Sequence, residues 1–502
     1  MKSLPAICVA LGFEDPGKLL QEARREADAG ETLLEFRLDI LEQPAAGIAV
    51  IRSLLEEHPE CAILATCRRC QNHGRFSGSV EEQVRLLEAA GAAGAKLVDL
   101  EVESAETCRP ALASLRRTAK LVISYHNFEG SPPLEPVLRR MLLLAADAYK
   151  IVTTARKPSD VYRVLALAKA HPKTPLIVLA MGEIGFPSRV LSPLYGGLFT
   201  YAAPAASAGT AAGQVSAKVL RQVYRLQKLS RSAKIYGVIA DPVGHSLSPV
   251  IHNRAFQSRR VDAVYLPFLV PPPHLKDYMA LAAKLPVTGF SVTIPHKQRI
   301  IRHLDAVDPL ARRIGAVNTV WRKAGKWRGT NTDAGAVVAV LSRHVRLAKA
   351  SVLVLGSGGA SRGASFALVD AGAQVSISGR SEDRPAITAL ARACGATTIL
   401  REQLDTLHFD ALVHATPLGM HPNVNECFFP ERIPAEVVFD MVYNPLETLL
   451  VRRAKEQGMT VIPGLQMFLE QASRQFEIWT GQHAPRGVME KAAREALAPS
   501  GA

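Results

Sequence analysis

A glycine-rich turn between a short apolar run and a helical stretch constrains this chain more than any other feature. Residues 351–364 read S-V-L-V-L-G-S-G-G-A-S-R-G-A. Val352 to Leu355 is apolar with β-branched positions, the pattern of a buried parallel strand. Gly356, Gly358 and Gly359 break it, with Ser357 and Ala360 in the same turn, and a helix is predicted over Ser361–Ala371. Such a turn brings backbone N–H groups and the positive end of a helix to a pyrophosphate. Glycine turns also occur for steric reasons alone, and G-x-G-G-A-x-R-G departs from the strict G-x-G-x-x-G. The next predicted strand, Gln374–Ser378, ends without an acid and is followed by Arg380 and Arg384. An acid there suits the free ribose of NAD, whereas an arginine suits a 2′-phosphate. The pattern predicts NADP, although two arginines so spaced also occur at a solvated helix start.

At 502 residues the chain has room for about three domains. Its 48% hydrophobic and 21% charged content describes a globular protein with real cores. No apolar run approaches the ~18 residues of a membrane span. Met1 to Ala10 has no signal-peptide plan, which predicts a cytoplasmic chain. The net charge of +14 is scattered, with few interleaved aromatics. That pattern argues against nucleic acid and for small anions, which arginines pair with readily. Seven cysteines without a secretory signal argue against a disulfide framework. Cys67 and Cys70 form one isolated C-x-x-C without further ligands, so no metal is predicted.

In residues 1–230, eight short strand-like runs alternate with helical stretches. They are Ile7–Leu11, Leu33–Asp39, Ala62–Thr66, Leu97–Glu101, Leu121–Tyr125, Ala148–Thr153, Leu176–Ala180 and Gly197–Tyr201. The count fits a (β/α)8 barrel; a doubly wound sheet is the alternative, weakened by the lack of a glycine turn after the first run. Barrel chemistry sits at the C-terminal strand ends. Glu35, Arg37 and Asp39 alternate and so share one face of a strand. Arg68 follows the third run and His126 the fifth. Lys150 lies inside the sixth, in A-Y-K-I-V. A lysine in an apolar strand is costly unless paired or neutral, and a neutral amine attacks carbonyls. Lys150 beside His126 therefore points to a Schiff base with a proton shuttle; an edge lysine snorkelling outward is the other reading.

This segment resembles type I 3-dehydroquinate dehydratases over nearly its whole length. The resemblance rests on E-F-R-L-D at 35–39, T-C-R at 66–68, S-Y-H-N-F at 124–128 and K-I-V at 150–152. It continues in M-G-E-I-G-F-P-S-R at 181–189 and A-G-Q at 212–214. It implies that Lys150 forms the imine, that His126 moves protons and that Arg189 binds the substrate carboxylate. Glu35, Arg37, Arg68, Thr210 and Gln214 would complete the pocket. Many relatives carry a glutamate before a Gly-Gly pair after the arginine, and this chain has Asn72 and His73 in that neighbourhood. The carboxylate that helps orient His126 is thus missing from this stretch. Thr210 stands where a serine is common.

A helix is predicted over Ser216–Leu229, then a short polar joint at Ser230–Lys234. Beyond it, Ile235–Ala240 is a predicted strand followed by D-P-V-G-H-S-L-S-P. Ser246 and Ser248 precede a helix, either as an N-cap or as a grip for a carboxylate. G-F-S-V-T-I-P-H-K at 289–297, G-A-V-N-T-V at 315–320 and G-T-N-T-D-A-G at 329–335 follow. An isolated lysine such as Lys297 is usually a surface residue. Beside an Asn and an Asp it can fix hydroxyls and shuttle one proton.

With the glycine turn, A-T-P-L-G-M at 415–420, Y-N-P at 443–445 and G-L-Q-M-F-L-E-Q at 464–471, most of 235–482 resembles shikimate dehydrogenases. The resemblance implies Lys297 and Asp333 as the catalytic pair. Ser246, Ser248, Thr293, Asn318, Tyr443 and Gln471 would hold the substrate. Gly356, Ser357, Gly358, Gly359, Ala360, Thr416, Gly464 and Met467 would hold NADP, with Arg380 and Arg384 at its 2′-phosphate. Gly379, Pro417 and Ser357 stand where asparagine, serine and alanine are usual.

The expected organisation is a (β/α)8 barrel at 1–230, a substrate lobe at 235–335 and a Rossmann-like NADP lobe at 336–465. C-terminal helices at 466–502 would pack back on the substrate lobe. The leading reading joins two consecutive steps: 3-dehydroquinate loses water to give 3-dehydroshikimate, which NADPH reduces to shikimate. A preference for quinate with NAD is one alternative, opposed by the serine pair and the arginines. A non-catalytic sensor of quinate-like ligands is another, opposed by the retention of Lys150, His126, Lys297 and Asp333. The expected partners are these small molecules, with no nucleic acid and no membrane.

Overall fold

Eight short parallel strands open the chain: β1 (Ile7–Leu11), β2 (Leu33–Arg37), β3 (Ala62–Thr66), β4 (Leu97–Glu101), β5 (Lys120–Asn127), β6 (Ala148–Thr154), β7 (Leu176–Met181) and β8 (Thr200–Ala202). The computed structural model describes residues 4–205, 210 and 213–498. The strands lie in the order β7-β6-β5-β4-β3-β2-β1-β8. Leu198 N donates to Leu176 O at 2.8 Å just before β8, so the sheet is a nearly closed barrel. Its interior is filled by side chains such as Leu33, Leu64, Leu97, Val122, Ile177 and Phe199, all buried. Filling from within leaves ligand space only at the strand ends.

Several boundaries differ from the sequence expectation, and three of them bear on the architecture. β2 stops at Arg37, and Leu38–Ile40 forms a 3₁₀ turn in which Asp39 folds back on Arg37. The shared face of Glu35, Arg37 and Asp39 therefore ends at Arg37. β8 begins only at Thr200, because Gly197 N still closes a turn on Ser192 O. The helix expected over 216–229 spans Ala217–Gln222, and Arg225, at φ 55°, takes the left-handed conformation before a separate 3₁₀ turn, Leu226–Lys228.

The chain divides into two compact units, Met1–Lys234 with Leu266–Pro286, and Ile235–Tyr265 with Val287–Ala502. Within the first, Ser159 N donates to Asp277 Oδ2 at 2.7 Å, tying the helix Leu275–Lys284 to the helix Ser159–Ala170.

Two further sheets follow. The first contains β9 (Lys234–Ala240), β10 (Ala263–Leu269), β11 (Val287–Val292), β12 (Ala306–Val307), β13 (Thr319–Lys323) and β14 (Lys326–Thr330), ordered β10-β9-β11-β13-β14-β12. It is mixed: β9 and β11 are parallel, β11, β13 and β14 antiparallel. The β13–β14 hairpin turns at Ala324 and Gly325, both at positive φ, as a two-residue turn of the strand's own twist requires. The second sheet contains β15 (Ser351–Leu355), β16 (Gln374–Ser378), β17 (Thr397–Thr398), β18 (Phe409–His414), β19 (Ala435–Asp440) and β20 (Thr460–Ile462). Its order, β17-β16-β15-β18-β19-β20, is wholly parallel and reverses direction between β15 and β18. That is the doubly wound arrangement, with its ligand crevice at the reversal. The long helix Gly464–Thr480 leaves this sheet and lies on the mixed one. There Trp479 Nε1 donates to Val320 O at 3.1 Å and Gln475 Nε2 to Asn318 O at 3.2 Å. Among the described residues no helix is long and apolar enough to cross a membrane.

His252, on the helix Ser248–Ser258, is fully buried against Tyr265 and Trp479, with ring centroids 4.6 and 5.1 Å apart. Burial pushes its pKa from 6.5 down to about 3. The folded chain keeps it neutral while the unfolded chain takes up a proton, so stability is lost as pH falls below 6.5. The slope is about 1.4 kcal/mol per pH unit from this one group. All three tryptophans (321, 327 and 479) lie in the second unit, so their fluorescence reports its unfolding. Between pH 7 and pH 5 the urea midpoint should fall more in the wild type than in His252→Phe, which keeps the ring and removes the titration.

Candidate active sites

The C-terminal ends of the barrel strands converge on a pocket of about 90 Å³ lined by Glu35, Arg37, Arg68, His126, Lys150, Arg189, Thr210 and Gln214. Every barrel residue expected from the sequence is thus in one place. Lys150 is buried, and β6 holds it opposite Ser124 of β5. Its Nζ lies 3.1 Å from Asp99 Oδ2, 3.4 Å from Glu35 Oε1 and 4.4 Å above the Tyr201 ring. The lysine is therefore paired with two carboxylates inside the barrel and does not snorkel outward. Ser124 Oγ donates to Asp99 Oδ1 at 2.6 Å and Thr66 Oγ1 to Glu35 Oε1 at 2.8 Å, which fixes both acids. Burial pushes the Asp99 carboxyl up, but Lys150, Arg68 and the Ser124 hydroxyl outweigh it and hold it below its ordinary value.

Asp99 and Tyr201 were not among the residues expected. Asp99 could have been found, since an acid inside the apolar run L-V-D-L-E needs a partner for the reason Lys150 does. Nothing in the sequence marks Tyr201.

His126 lies one residue before the end of β5 and lines the pocket. Burial drives its pKa far down, and Arg68, Lys150 and Arg37 push the same way, so the imidazole is neutral. Its Nδ1 is buried without a hydrogen-bond partner. Asn72 does not supply one: its amide points to Glu103, 3.5 Å away. The neighbouring His73 lines the pocket instead, its ring 4.1 Å from that of Phe128. Arg37 is bound bidentately by Asp39 at 2.7 and 2.8 Å. Burial pushes Arg189 down to about 10, and this guanidinium lies deep in the wall. Thr210 N donates to Gln214 Oε1 at 2.8 Å. Cys67 is buried and Cys70 exposed, all seven cysteines are free, and among the described residues no group of three or more ligating side chains could hold a metal.

The second unit carries a cleft of about 750 Å³ at the reversal of its parallel sheet. Lys297 follows the cis Ile294–Pro295 bond and pairs with Asp333 Oδ2 at 2.6 Å. Asp333 lies in the first turn of the helix Thr332–Leu341, where the helix dipole favours a carboxylate. Asn318 is pinned by three bonds, to Thr332 N at 2.8 Å, Thr319 Oγ1 at 2.7 Å and Thr332 Oγ1 at 3.0 Å. Ser246, Ser248, Thr293, Tyr443 and Gln471 line the same wall. Ser248 N donates to Ser246 Oγ at 3.3 Å, Gln471 Nε2 donates to Phe468 O at 2.8 Å, and Tyr443 stacks on Phe468 at 4.3 Å. Sequence reasoning missed the layer beneath, where Tyr265 donates to Ser291 Oγ and Ser291 to Gln475 Oε1.

Gly356, Ser357, Gly358, Gly359 and Ala360 line the opposite wall with Thr416 and Met467. Gly356 sits at φ 110°, open to glycine and strained for other residues. A Cβ on Gly359 would stand 3.1 Å from Lys297 Cδ, so the turn reaches the catalytic candidate itself. Arg380 lines the cleft but is paired with Glu382 at 2.8 Å and Asp383 at 2.9 Å. Arg384 does not line it; it begins the helix Arg384–Cys394, exposed. Gly464 is also outside the lining, and its role is packing, since a Cβ there would meet Val442 O at 2.3 Å. The usual asparagine at 379 would meet Ile387 Cδ1 at 2.8 Å.

A barrel with a paired lysine at its mouth, joined to a two-lobed unit with a dinucleotide crevice, defines a fusion of two α/β enzymes. Residues 7–231 match the family model of type I 3-dehydroquinase. Residues 238–320 match the shikimate dehydrogenase substrate binding domain and 464–494 the shikimate 5′-dehydrogenase C-terminal domain. The chain is 32% identical over 511 residues to the chloroplastic bifunctional 3-dehydroquinate dehydratase/shikimate dehydrogenase of Arabidopsis thaliana, covering 97% of this chain and 84% of that one. It is 38% identical to a shikimate dehydrogenase (NADP(+)) of Bacillus cereus (strain G9842), over 53% of this chain and 99% of that one. A crystal structure of a shikimate dehydrogenase in complex with NADP+ superposes at TM-score 0.50 and 34% identity, over 54% of this chain and 97% of that one. The chain belongs to the family of bifunctional 3-dehydroquinate dehydratase/shikimate dehydrogenases.

Gly464→Ala forces its methyl into the 441–442 backbone and should destabilise the second unit by roughly 1–3 kcal/mol, as overpacking does. Urea unfolding followed by tryptophan fluorescence measures it; an unchanged midpoint would refute the packing role.

Proposed function

We propose that the barrel dehydrates 3-dehydroquinate to 3-dehydroshikimate through an imine on Lys150, and that the second unit reduces 3-dehydroshikimate to shikimate with NADPH. The observation that carries this reading is the convergence of Lys150, neutral His126 and buried Arg189 in one barrel-end pocket. The paired Lys297 and Asp333 beside a glycine turn support its second half.

In the barrel, the Lys150 ammonium first gives a proton to solvent; the free amine adds to the ketone carbon, and loss of water gives the iminium. That electron sink makes the neighbouring C–H acidic. Neutral His126 takes this proton, and the electron pair forms an enamine. The enamine expels the β-hydroxyl, which leaves as water with the proton returned by His126. A water molecule then hydrolyses the imine and frees Lys150. Asp99 and Glu35 hold Nζ at the pocket floor throughout. Arg189 takes the substrate carboxylate. Arg37, Arg68, Thr210 and Gln214 bind the ring hydroxyls.

In the second unit the residues fit a dinucleotide: the space beyond Gly358 is open, and the turn leads to Lys297. NADPH supplies a hydride when bound. Gly356, Ser357, Gly358, Gly359, Ala360, Thr416 and Met467 would hold it, and Arg380 would leave Glu382 and Asp383 for the 2′-phosphate. Lys297 gives a proton to the carbonyl oxygen, and Asp333 balances the charge. Ser246 and Ser248 bind the substrate carboxylate, while Thr293, Asn318, Gln471 and Tyr443 face its hydroxyls. We extend the reading to a cytoplasmic enzyme whose partners are its small-molecule substrates.

Adding 3-dehydroquinate and NADPH to the purified chain should consume NADPH and yield shikimate. Lys150→Ala should abolish that consumption yet leave the rate from 3-dehydroshikimate intact; loss of both rates in a folded variant would refute two independent sites. Arg380→Ala should raise the KM for NADPH about tenfold, the worth of one charge-assisted contact, and leave the KM for NADH nearly unmoved. Equal effects on both cofactors would remove the 2′-phosphate role.

A further inference from the structure

Behind Thr416 runs a line of buried side chains that neither reaction uses. Strands β18 and β19 pair in register so that His414 lies opposite Asp440, at the carboxyl ends of both. His414 is 2% exposed and Asp440 fully buried. Asp440 Oδ1 lies 2.9 Å from His414 Nδ1 and accepts from Val442 N at 3.0 Å. Its Oδ2 accepts from Thr448 Oγ1 at 2.5 Å. On the far side of the ring, His414 Nε2 is 2.5 Å from Thr416 Oγ1. β15 flanks β18 on its other edge and sets uncharged Leu355 opposite His414. Asp440 is therefore the charged group that the two neighbouring strands present to the imidazole.

Hydrogen-bond inventory orders these atoms. A carboxylate is acceptor-only, so Asp440 requires the His414 proton on Nδ1. In the neutral ring Nε2 is then the acceptor and must take the Thr416 O–H. That leaves Thr416 Oγ1 with two lone pairs. One receives Leu418 N–H at 3.3 Å, and Thr416 itself lines the cleft.

We infer that His414, held by Asp440, is a positioning residue for the cofactor site: it claims the Thr416 hydroxyl proton and makes that oxygen an acceptor toward the cleft, where it takes a hydrogen-bond donor of the dinucleotide, a hydroxyl or carboxamide N–H. The inference rests on the dehydrogenase reading above.

The test is NADPH binding to the full chain, followed by tryptophan fluorescence, together with steady-state reduction of 3-dehydroshikimate. His414→Leu and Thr416→Val should each raise the KM for NADPH about five- to tenfold, the worth of one hydrogen bond. The change should fall on that KM rather than on kcat or the KM for 3-dehydroshikimate. Because both act through one oxygen, the double variant should be no worse than either single one. His414→Asn offers an N–H to Asp440 and an oxygen to Thr416. It should recover most of the affinity lost in His414→Leu. Additive effects in the double variant, a parallel rise in the 3-dehydroshikimate KM, or no recovery in His414→Asn would each overturn the inference. If His414→Leu does not fold, Thr416→Val and His414→Asn decide it alone. A wild-type chain that does not reduce 3-dehydroshikimate with NADPH refutes the dehydrogenase reading itself; a working wild type with insensitive variants refutes only this inference.

Discussion

A buried ammonium needs a counter-charge, and most of the barrel pocket follows from that need. Lys150 is held inside an apolar strand, where an isolated charge costs many kcal/mol. Asp99 and Glu35 meet that cost, and they in turn need Ser124 and Thr66 to occupy their remaining lone pairs. Burial, helped by the same cations that balance these acids, keeps His126 neutral. One constraint thereby sets an amine, two oriented carboxylates and a free base within one small pocket. The barrel makes this possible because period-two strands send alternate side chains inward, and parallel strands bring every carboxyl end to one rim.

The second unit solves a different problem. Its cleft is built from ends of chain segments that the sheet reversal leaves uncovered. The glycine turn after β15 and the Thr416 loop after β18 flank that gap, and the helix Gly464–Thr480 carries Met467 and Gln471 to it. Close approach is the theme: a Cβ on Gly359 would crowd Lys297, and Gly464 against the 441–442 backbone leaves no room for a side chain. Electrostatics are modest beside this. Lys297 and Asp333 are one pair at a helix start, and Arg380 spends its charge on two local acids.

Much of this was legible in the chain. The eight runs, the glycine turn and the strand after it are local patterns, and local patterns are what periodicity records. Lys150 stood out because a charge in an apolar strand is a local contradiction. Asp99 carried the same contradiction, but with no visible partner it reads as one acid among many. Arg384 falls outside the cleft lining because spacing along a sequence does not say which way a helix start faces. Asp39 was misread because a strand period cannot reveal where the strand ends, and here a bidentate pair with Arg37 bends the chain at once.

The sequence by itself determined the element types, the barrel count, the dinucleotide turn and the chemical kinds of side chain at the strand ends. Each depends on neighbours within a few residues, or on motifs whose order survives in the linear chain. Tertiary structure alone decided which of those side chains meet. Asp99 reaches Lys150 across 51 positions, Lys297 reaches Asp333 across 36, and His414 finds Asp440 across 26 only because two parallel strands align in register. Such meetings are set by sheet order and strand register, which are properties of the whole core rather than of any stretch of chain.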